Sequence, residues 1–416
     1  MLDRRTGLWQ ATLTLLAGGA LAHALPLLLG PWLTRLYTPA EFGQFTAFSV
    51  LAANLAVLAC ARYEFALPLA RDDAEAGALF ALCLRILAVV VGACAVLALG
   101  LHATGAIAHA GWLPLAVGAA GLLSLMTLWA TRAQAFTALA ATRVLQHGGG
   151  ALLQVALALG SLGVLGLILG PVLATLLAAA WLWRATPHGG VAAARSASWR
   201  SLRPVMCAHQ DFPLLNTPHA FLGALGDTLA VMILVAWSGD AAAGLWGLTL
   251  RYLKAPATLV GGAVSQALYP RLSGSSPAEA RRAVRQVMVL LGAVGLAIAL
   301  LLVLTGPALF AAVFGEPWRP AGELARALAP YIALHFVASP LAVVTMAWGA
   351  QAWALRLALA GQSMFLAALA GGLAWGGLEA AGWAVSAAMA LYFGWYFVAL
   401  ATWKLTSMEH RVGPAA

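Results

Sequence analysis

Charge is what this chain has least of. Asp, Glu, Lys and Arg together make up 9% of its 416 residues, where a soluble globular domain carries about 25%. Acids are the scarcer sign, 14 against 23 Lys and Arg. That poverty excludes a large water-facing surface and leaves little chain for a separate soluble domain. Cysteine is also scarce. Cys60, Cys83, Cys94 and Cys207 form no CxxC pair, and none falls in a clear external loop. Buried free thiols are expected, with zinc binding and disulfides the minority alternatives. Enzyme signatures are missing as well: there is no P-loop, no HExxH, no GxSxG, and no external loop long enough for a catalytic domain. The expectation is a protein that is not an enzyme, with no cofactor and no dedicated metal site. No nucleic-acid-binding motif accompanies the net charge of +9, so nucleic acid is not an expected partner. A small-residue cleavage site after the first apolar stretch is lacking too, which reads as a retained span rather than a signal peptide.

What the chain has in abundance is apolar sequence. Hydrophobic residues make up 62%, the mean hydropathy is +0.89, and Gly (43) and Trp (16) are frequent. Gly permits close helix contact in lipid, and Trp favours the membrane interfaces. A hydrocarbon core about 30 Å thick needs about 20 apolar residues to cross it as a helix. Twelve such runs are present: 12–34, 43–66, 78–101, 112–131, 143–163, 164–183, 210–237, 243–268, 287–312, 326–349, 355–376 and 381–403. The stretch 143–183 reads as two spans with a turn at Gly160 to Gly163. The predicted fold class is all-α, a polytopic membrane protein of about 12 transmembrane helices in two pseudo-symmetric six-helix bundles around a central cavity. The predicted organisation is an N-terminal six-helix lobe over 1–190, a cytoplasmic linker over 191–209 rich in Ala, Ser and Arg, and a C-terminal six-helix lobe over 210–416. A faint internal echo agrees: Asp240 to Trp246, with Gly244, parallels Pro39 to Phe45, with Gly43, each between the first and second span of its half.

Lys and Arg set the orientation. With both termini cytoplasmic, sixteen of the 23 fall on the inside, and three, Arg35, Arg319 and Arg326, on the outside. That is the positive-inside pattern. The basic loop 269–286 reads first as a topology determinant and second as a contact for anionic lipid headgroups.

Seven ionisable side chains remain inside or at the rim of apolar runs: Arg62, Glu64, Arg85, Asp211, Asp227, Arg251 and Lys254. A charge at the bilayer centre costs about 3 kcal/mol. They are tolerable if they face a shared wet cavity or pair with one another. Arg251 and Lys254 are three apart and share a helix face, so two like charges there favour a bound anion. Pro256, one turn on, is expected to kink that helix. Arg62 and Glu64 are two apart and do not share a helix face. Arg62 is read either as an attractor of an anionic substrate or as a rim residue, and Glu64 as a structural or gating residue. Asp211 precedes Pro213 and reads chiefly as a helix cap. Asp227 is expected near mid-membrane, either paired with Arg251 or Lys254 or holding a coupling cation. Arg85 reads as snorkelling. His23, His209 and His219 carry no assigned role. The candidate substrate-binding residues are therefore Arg251, Arg62 and Lys254, with Asp227, Glu64 and Asp211 as candidates for ion coupling or charge pairing.

Several blocks carry a resemblance. The run from Pro31 to Gly43 looks like the first outer loop of Wzx-type oligosaccharide flippases, and Arg62-Tyr63-Glu64 matches their second span. The pattern recurs in Phe212-Pro213, in Gly244-Leu245-Trp246 with Arg251 and Pro256, and in Ala263 to Gln266 with Tyr269-Pro270-Arg271. It returns in Phe314 to Gly322 and in Ser339-Pro340-Leu341. The chain thus resembles a lipid-linked repeat-unit flippase of the multidrug/oligosaccharidyl-lipid/polysaccharide exporter superfamily. The resemblance implies a polyprenyl-diphosphate-linked oligosaccharide as substrate, moved from the cytoplasmic to the periplasmic leaflet of a bacterial inner membrane. It implies cationic cavity residues near the diphosphate, which Arg62 and Arg251 match; Lys254, crowded beside Arg251, is a departure. Membrane lipids are partners, candidate protein partners are a polysaccharide polymerase and glycosyltransferases, and H+ or Na+ is a candidate coupling ion. The competing reading is a cation-coupled multidrug efflux antiporter of the same superfamily, whose cavity would be net acidic. Four basic against three acidic intramembrane residues disfavours it.

Overall fold

A backbone in hydrocarbon must satisfy its own hydrogen bonds, and the described residues do so by being helical almost throughout, with no strand among them. The computed structural model describes residues 2–105, 107, 109–186, 199–274 and 276–403. Residues 191–198 of the expected linker, and the basic Lys404 and Arg411, lie outside that set.

The chain divides into two compact units, Met1–Val235 and Ala236–Ala416. The first holds α1 (Leu2–Leu36), α2 (Pro39–Ala56), α3 (Asp73–Thr104), α4 (Leu113–Arg132), α5 (Phe136–Leu159), α6 (Val164–Ala185), the short amphipathic α7 (Trp199–Ala208) and the first part of α8 (Thr217–Gly274). The second holds the rest of α8, then α9 (Pro277–Phe314), α10 (Arg319–Ala347) and α11 (Gln351–Ala401). The start of α8 sits with the first unit because Asn54 of α2 donates to the Thr228 hydroxyl (3.2 Å), which in turn lies 3.2 Å from the Val50 carbonyl.

Among the described residues, seven helices are long and apolar enough to cross a membrane. Two of them, Phe212–Leu272 and Ala352–Ala401, run to 61 and 50 residues, each enough for two crossings at about 1.5 Å per residue. Both are interrupted near the middle by backbone that is not helical, at Gly239 (φ 80°) in α8 and at Gly376 and Gly377 (φ 76° at the latter) in α11. Positive φ is open to glycine at little cost. The outward faces are apolar: Val89 and Leu99 on α3, and Val289, Leu296 and Leu304 on α9, are all exposed. In water such faces would be an aggregation hazard, whereas in lipid they are the solvent-facing surface.

Helix ends follow local chemistry. Thr38 and Glu41 form a reciprocal capping box at the start of α2, with Glu41 N–H donating to Thr38 Oγ1 (3.3 Å) and Thr38 N–H to Glu41 Oε2 (2.8 Å). Ser276 and Glu279 repeat the motif at α9, at 3.4 and 3.0 Å. Pro39 and Pro277 occupy first helical positions, where a missing N–H is harmless. Just before α2 the Tyr37 hydroxyl is buried and donates to the Gln154 carbonyl at 3.0 Å. Burial, with the Glu41 charge second, pushes its pKa up to about 12. The expected turn after α5 is present, with Ser161 (φ 60°) and Gly163 (φ 53°) separating α5 from α6.

The second predicted span, 43–66, is not one helix. α2 stops at Ala56, and the chain runs on through tight turns into a 3-10 segment, Tyr63–Leu69. Hydrogen bonds shift to i−3 partners along it, as in Tyr63 N to Cys60 O (3.1 Å) and Phe65 N to Arg62 O (3.1 Å). Ala61 (φ 48°) and Arg62 (φ 62°) are left-handed, which no α-helix accommodates. Packing compensates: Tyr63, Ala66 and Leu67 are buried with Leu79, Cys83, Leu125 and Trp129 of α3 and α4. In the second unit α9 and α10 meet backbone to backbone. A Cβ on Gly322 would stand 2.6 Å from Pro307 Cα, and one on Gly306 would stand 2.8 Å from the Gly322 carbonyl. Small residues at helix crossings permit this approach.

Candidate functional site

Two groups of intramembrane charge lie in different units, and each is described within its own. In the first, the irregular stretch after α2 carries Arg62 and Glu64. Glu64 is 5% exposed, accepts a hydrogen bond from Ser124 of α4 (3.3 Å to Oε1), and leaves Oε2 buried without a partner among the described residues. The charge of Arg62 acts on it. The Arg62 guanidinium sits 4.9 Å from the Phe65 ring centroid, a cation–π contact, and its Nε is likewise buried and unpartnered among the described residues.

The same unit holds a cavity of about 200 Å³, lined by His23 of α1, Thr127 of α4 and Thr142, Arg143, Gln146 and His147 of α5. The His23 and His147 rings stack at 5.8 Å. Four nitrogen-bearing side chains around one cavity of mixed lining give it donors for anionic or hydroxylated groups. Sequence reading misses it, because Arg143 counts there as a cytoplasmic topology residue. The four-residue spacing Arg143–His147 is the signal that finds it.

In the second unit, Arg251 and Lys254 lie one turn apart on α8, both half-buried. The Lys254 charge acts on His335 of α10, whose ring lies tilted against Tyr331 (5.7 Å between centroids) and Phe393 (6.4 Å). Pro256 lies inside α8 with helical backbone angles, and the interruption of α8 lies at Gly239. The Thr258 hydroxyl donates to the Lys254 carbonyl at 3.1 Å, in the turn where proline lacks an N–H. Farther along, Arg281, Arg282 and Arg285 line an open basic depression of about 360 Å³ with Ala401 and Thr402. Arg281 and Arg285 donate to the carbonyls of Trp403 (3.3 Å) and Ala401 (2.8 Å) at the end of α11.

The remaining predicted residues fall elsewhere. Asp227 is exposed on α8 and joins no ion pair of its own unit among the described residues. Asp211 is exposed and makes no side-chain capping bond to the π-helical turn Phe212–Asn216, so it is not the cap expected of it. Its own backbone is helical (φ −65°, ψ −28°), whereas a capping residue is extended. Arg85 stacks over Trp199 of α7 at 5.2 Å, which ties α3 to an amphipathic helix rather than leaving the side chain loose. His209 pairs with Glu75 at 3.0 Å. Cys60, Cys83 and Cys94 are buried free thiols as expected, whereas Cys207 is exposed.

Known folds match these units. A multidrug resistance MATE family transporter of the MOP superfamily, in an inward-facing conformation, superposes with a TM-score of 0.67 at 13% identity, covering 91% of this chain and 94% of its own. The lipid II flippase MurJ, inward closed, gives 0.68 at 10% identity, covering 92% and 89%. A point mutant of the Vibrio cholerae MATE transporter VcmN gives 0.59 at 16% identity, covering 95% of both chains. At such identities the likeness is one of fold. Comparison with curated proteins gives no match. The family profile described as polysaccharide biosynthesis protein matches residues 32–323. A multi-pass helical membrane protein with the fold of MOP-superfamily transporters, matched over most of its length by that profile, this chain belongs to the polysaccharide biosynthesis protein family.

Proposed function

We propose that the protein is a flippase that carries a polyprenyl-diphosphate-linked oligosaccharide from the cytoplasmic to the periplasmic leaflet of a bacterial inner membrane. Twelve spans in two six-helix lobes, 1–190 and 210–416 joined by 191–209, rock about a central cavity, and both termini face the cytoplasm. The observation that carries the reading is the family match over 32–323 in a transporter fold. Intramembrane basic residues support it. A diphosphate loses its hydration in hydrocarbon at high cost, and Arg251, Lys254 and Arg62 offer replacement partners while the polyprenyl tail stays in the bilayer. The cavity lined by Arg143, His23 and His147 offers donors of the kind a sugar-phosphate head requires. Alternating exposure of such a site to the two leaflets is the general transporter mechanism. No bond of the substrate is made or broken, so the protein acts as a carrier. Glu64, Asp227 and Asp211 are the acids available to an H+ or Na+ coupling step.

Expression in a strain lacking its own repeat-unit flippase tests the proposal. Restored surface polysaccharide and relief of the accumulated lipid-linked sugar on the cytoplasmic side are expected. Unrelieved accumulation, with the protein present and folded in the membrane, overturns it; drug resistance in the same strain would instead favour the efflux antiporter.

A further inference from the structure

Cys60, Glu64 and Cys83 come from three separate elements, the turn after α2, the 3-10 segment and α3, and one ligand atom from each lies within 4.8 Å of the other two. The thiols are 1% and 0% exposed and Glu64 is 5% exposed. Cys60 Sγ lies 3.9 Å from the Gly121 carbonyl. Glu64 supplies the independent pointer. Its Oε1 is held by Ser124, but Oε2, equally buried, has no partner among the described residues. A buried carboxylate oxygen left bare costs about 1–3 kcal/mol or more, and this one belongs to the carboxylate that the cluster offers.

We propose that these three side chains form a binding site for a thiophilic divalent cation, of which Zn2+ is the type. Zn–S and Zn–O distances of about 2.3 and 2.1 Å place tetrahedral ligand atoms about 3.6–3.8 Å apart, so closure from the observed spacing takes about 1 Å of side-chain movement. Two sulfurs and one oxygen select zinc or cadmium over Na+ or Mg2+, which prefer all-oxygen shells. A zinc held here occupies Glu64, which leaves Asp227 and Asp211 as the acids for a hard coupling ion. Binding displaces one proton from each thiol into solvent. The ion with two thiolates and a carboxylate carries one net negative charge, and Arg62, whose charge already acts on Glu64, offsets it. Ser124 is the outer partner that orients the carboxylate. With three protein ligands, the fourth position is left to a small external ligand. The consequence is a clamp that fixes the irregular stretch bearing Arg62 to α3. The site is independent of the transport assignment, because it is read by metal content.

Full-length protein, purified in detergent and stripped with chelator, is incubated with Zn2+, desalted and analysed by plasma mass spectrometry, with Cd2+ in parallel to read the thiolate-to-cadmium ultraviolet absorption. About one zinc per chain is expected, with more than a tenfold loss of affinity in the Cys60→Ser/Cys83→Ser double variant, a smaller loss in Glu64→Gln, and no change in Cys94→Ser or Cys207→Ser. Excess Na+ and Mg2+ leave the zinc in place. If the double variant does not elute as a single species, the cadmium absorption of the wild-type chain decides. No such absorption, zinc that follows Cys94 or Cys207 instead, or an intact mass showing Cys60 and Cys83 joined as a disulfide each overturns the site.

Discussion

At the scale of single residues, the charges stand out in the sequence but their surroundings do not. Arg251 and Lys254 are legible as a pair because a three-residue spacing on a helix fixes a shared face, and α8 is helical there. Arg62 and Glu64 are legible as intramembrane charges, but their mutual position depends on left-handed backbone that hydrophobicity does not encode. Arg143 is easily misread, since a basic residue near a span's cytoplasmic end looks like a topology signal whether or not a cavity lies beside it. Two outcomes follow for export. Arg251→Ala is expected to reduce surface polysaccharide at least tenfold while the amount of folded protein in the membrane stays within twofold, measured by immunoblot and by elution as a single species. Wild-type polysaccharide in that variant removes Arg251 from the site. Arg143→Ala is expected to lower complementation in the same assay with folding retained, and Arg143→Lys to keep more of it, because the cavity then still holds a cation. Equal loss in both would instead assign the guanidinium a structural role.

At the scale of elements, turns read well and caps unevenly, since Asp211 makes no cap. Thr38-Pro39-Ala40-Glu41 and Ser276-Pro277-Ala278-Glu279 spell capping boxes, and both form. The Gly160–Gly163 turn also stands where the glycines put it. What composition hides is where a long apolar run stops being an α-helix: 43–66 is largely apolar, yet its second half is set by packing against α3 and α4. Nor does composition show that the interruption of α8 falls at Gly239, while Pro256 keeps helical backbone angles. The α9–α10 crossing makes an element-scale prediction. Gly322→Val is expected to destabilise the protein by about 1–3 kcal/mol, the usual range for overpacking, read as a lower melting temperature in detergent. Gly292→Ala, on α9 with open space around its added Cβ, is expected to leave the melting temperature unchanged or to raise it slightly, since Ala is the better helix former.

At the scale of the whole molecule, the apolar runs and the bias of Lys and Arg announce a multi-pass helical membrane protein, and the ordered blocks from Pro31 to Leu341 point to its family. Neither gives the fold in detail: the solved transporters that match share 10–16% of their residues with this chain, too few for side-chain detail to carry over. Orientation is testable with a residue already present. Cys207 is exposed and falls in the segment expected in the cytoplasm. A membrane-impermeant maleimide is expected to label it in permeabilised cells and not in intact spheroplasts, with buried Cys60, Cys83 and Cys94 reacting in neither. Labelling from the outside would invert the assigned topology.

Left-handed alanine is uncommon, and Ala61 adopts it within a stretch that the membrane pattern marks as span. A side chain in that conformation is disfavoured by about 1–2 kcal/mol, a cost glycine avoids. Ala61→Gly is thus expected to tighten the folded state slightly, even though glycine ordinarily loosens a helix. The stretch around Arg62 carries a backbone cost that its buried neighbours offset, and removing that cost with glycine separates two quantities usually inferred together, the melting temperature of the protein and the rate at which this corner opens to hydrogen exchange.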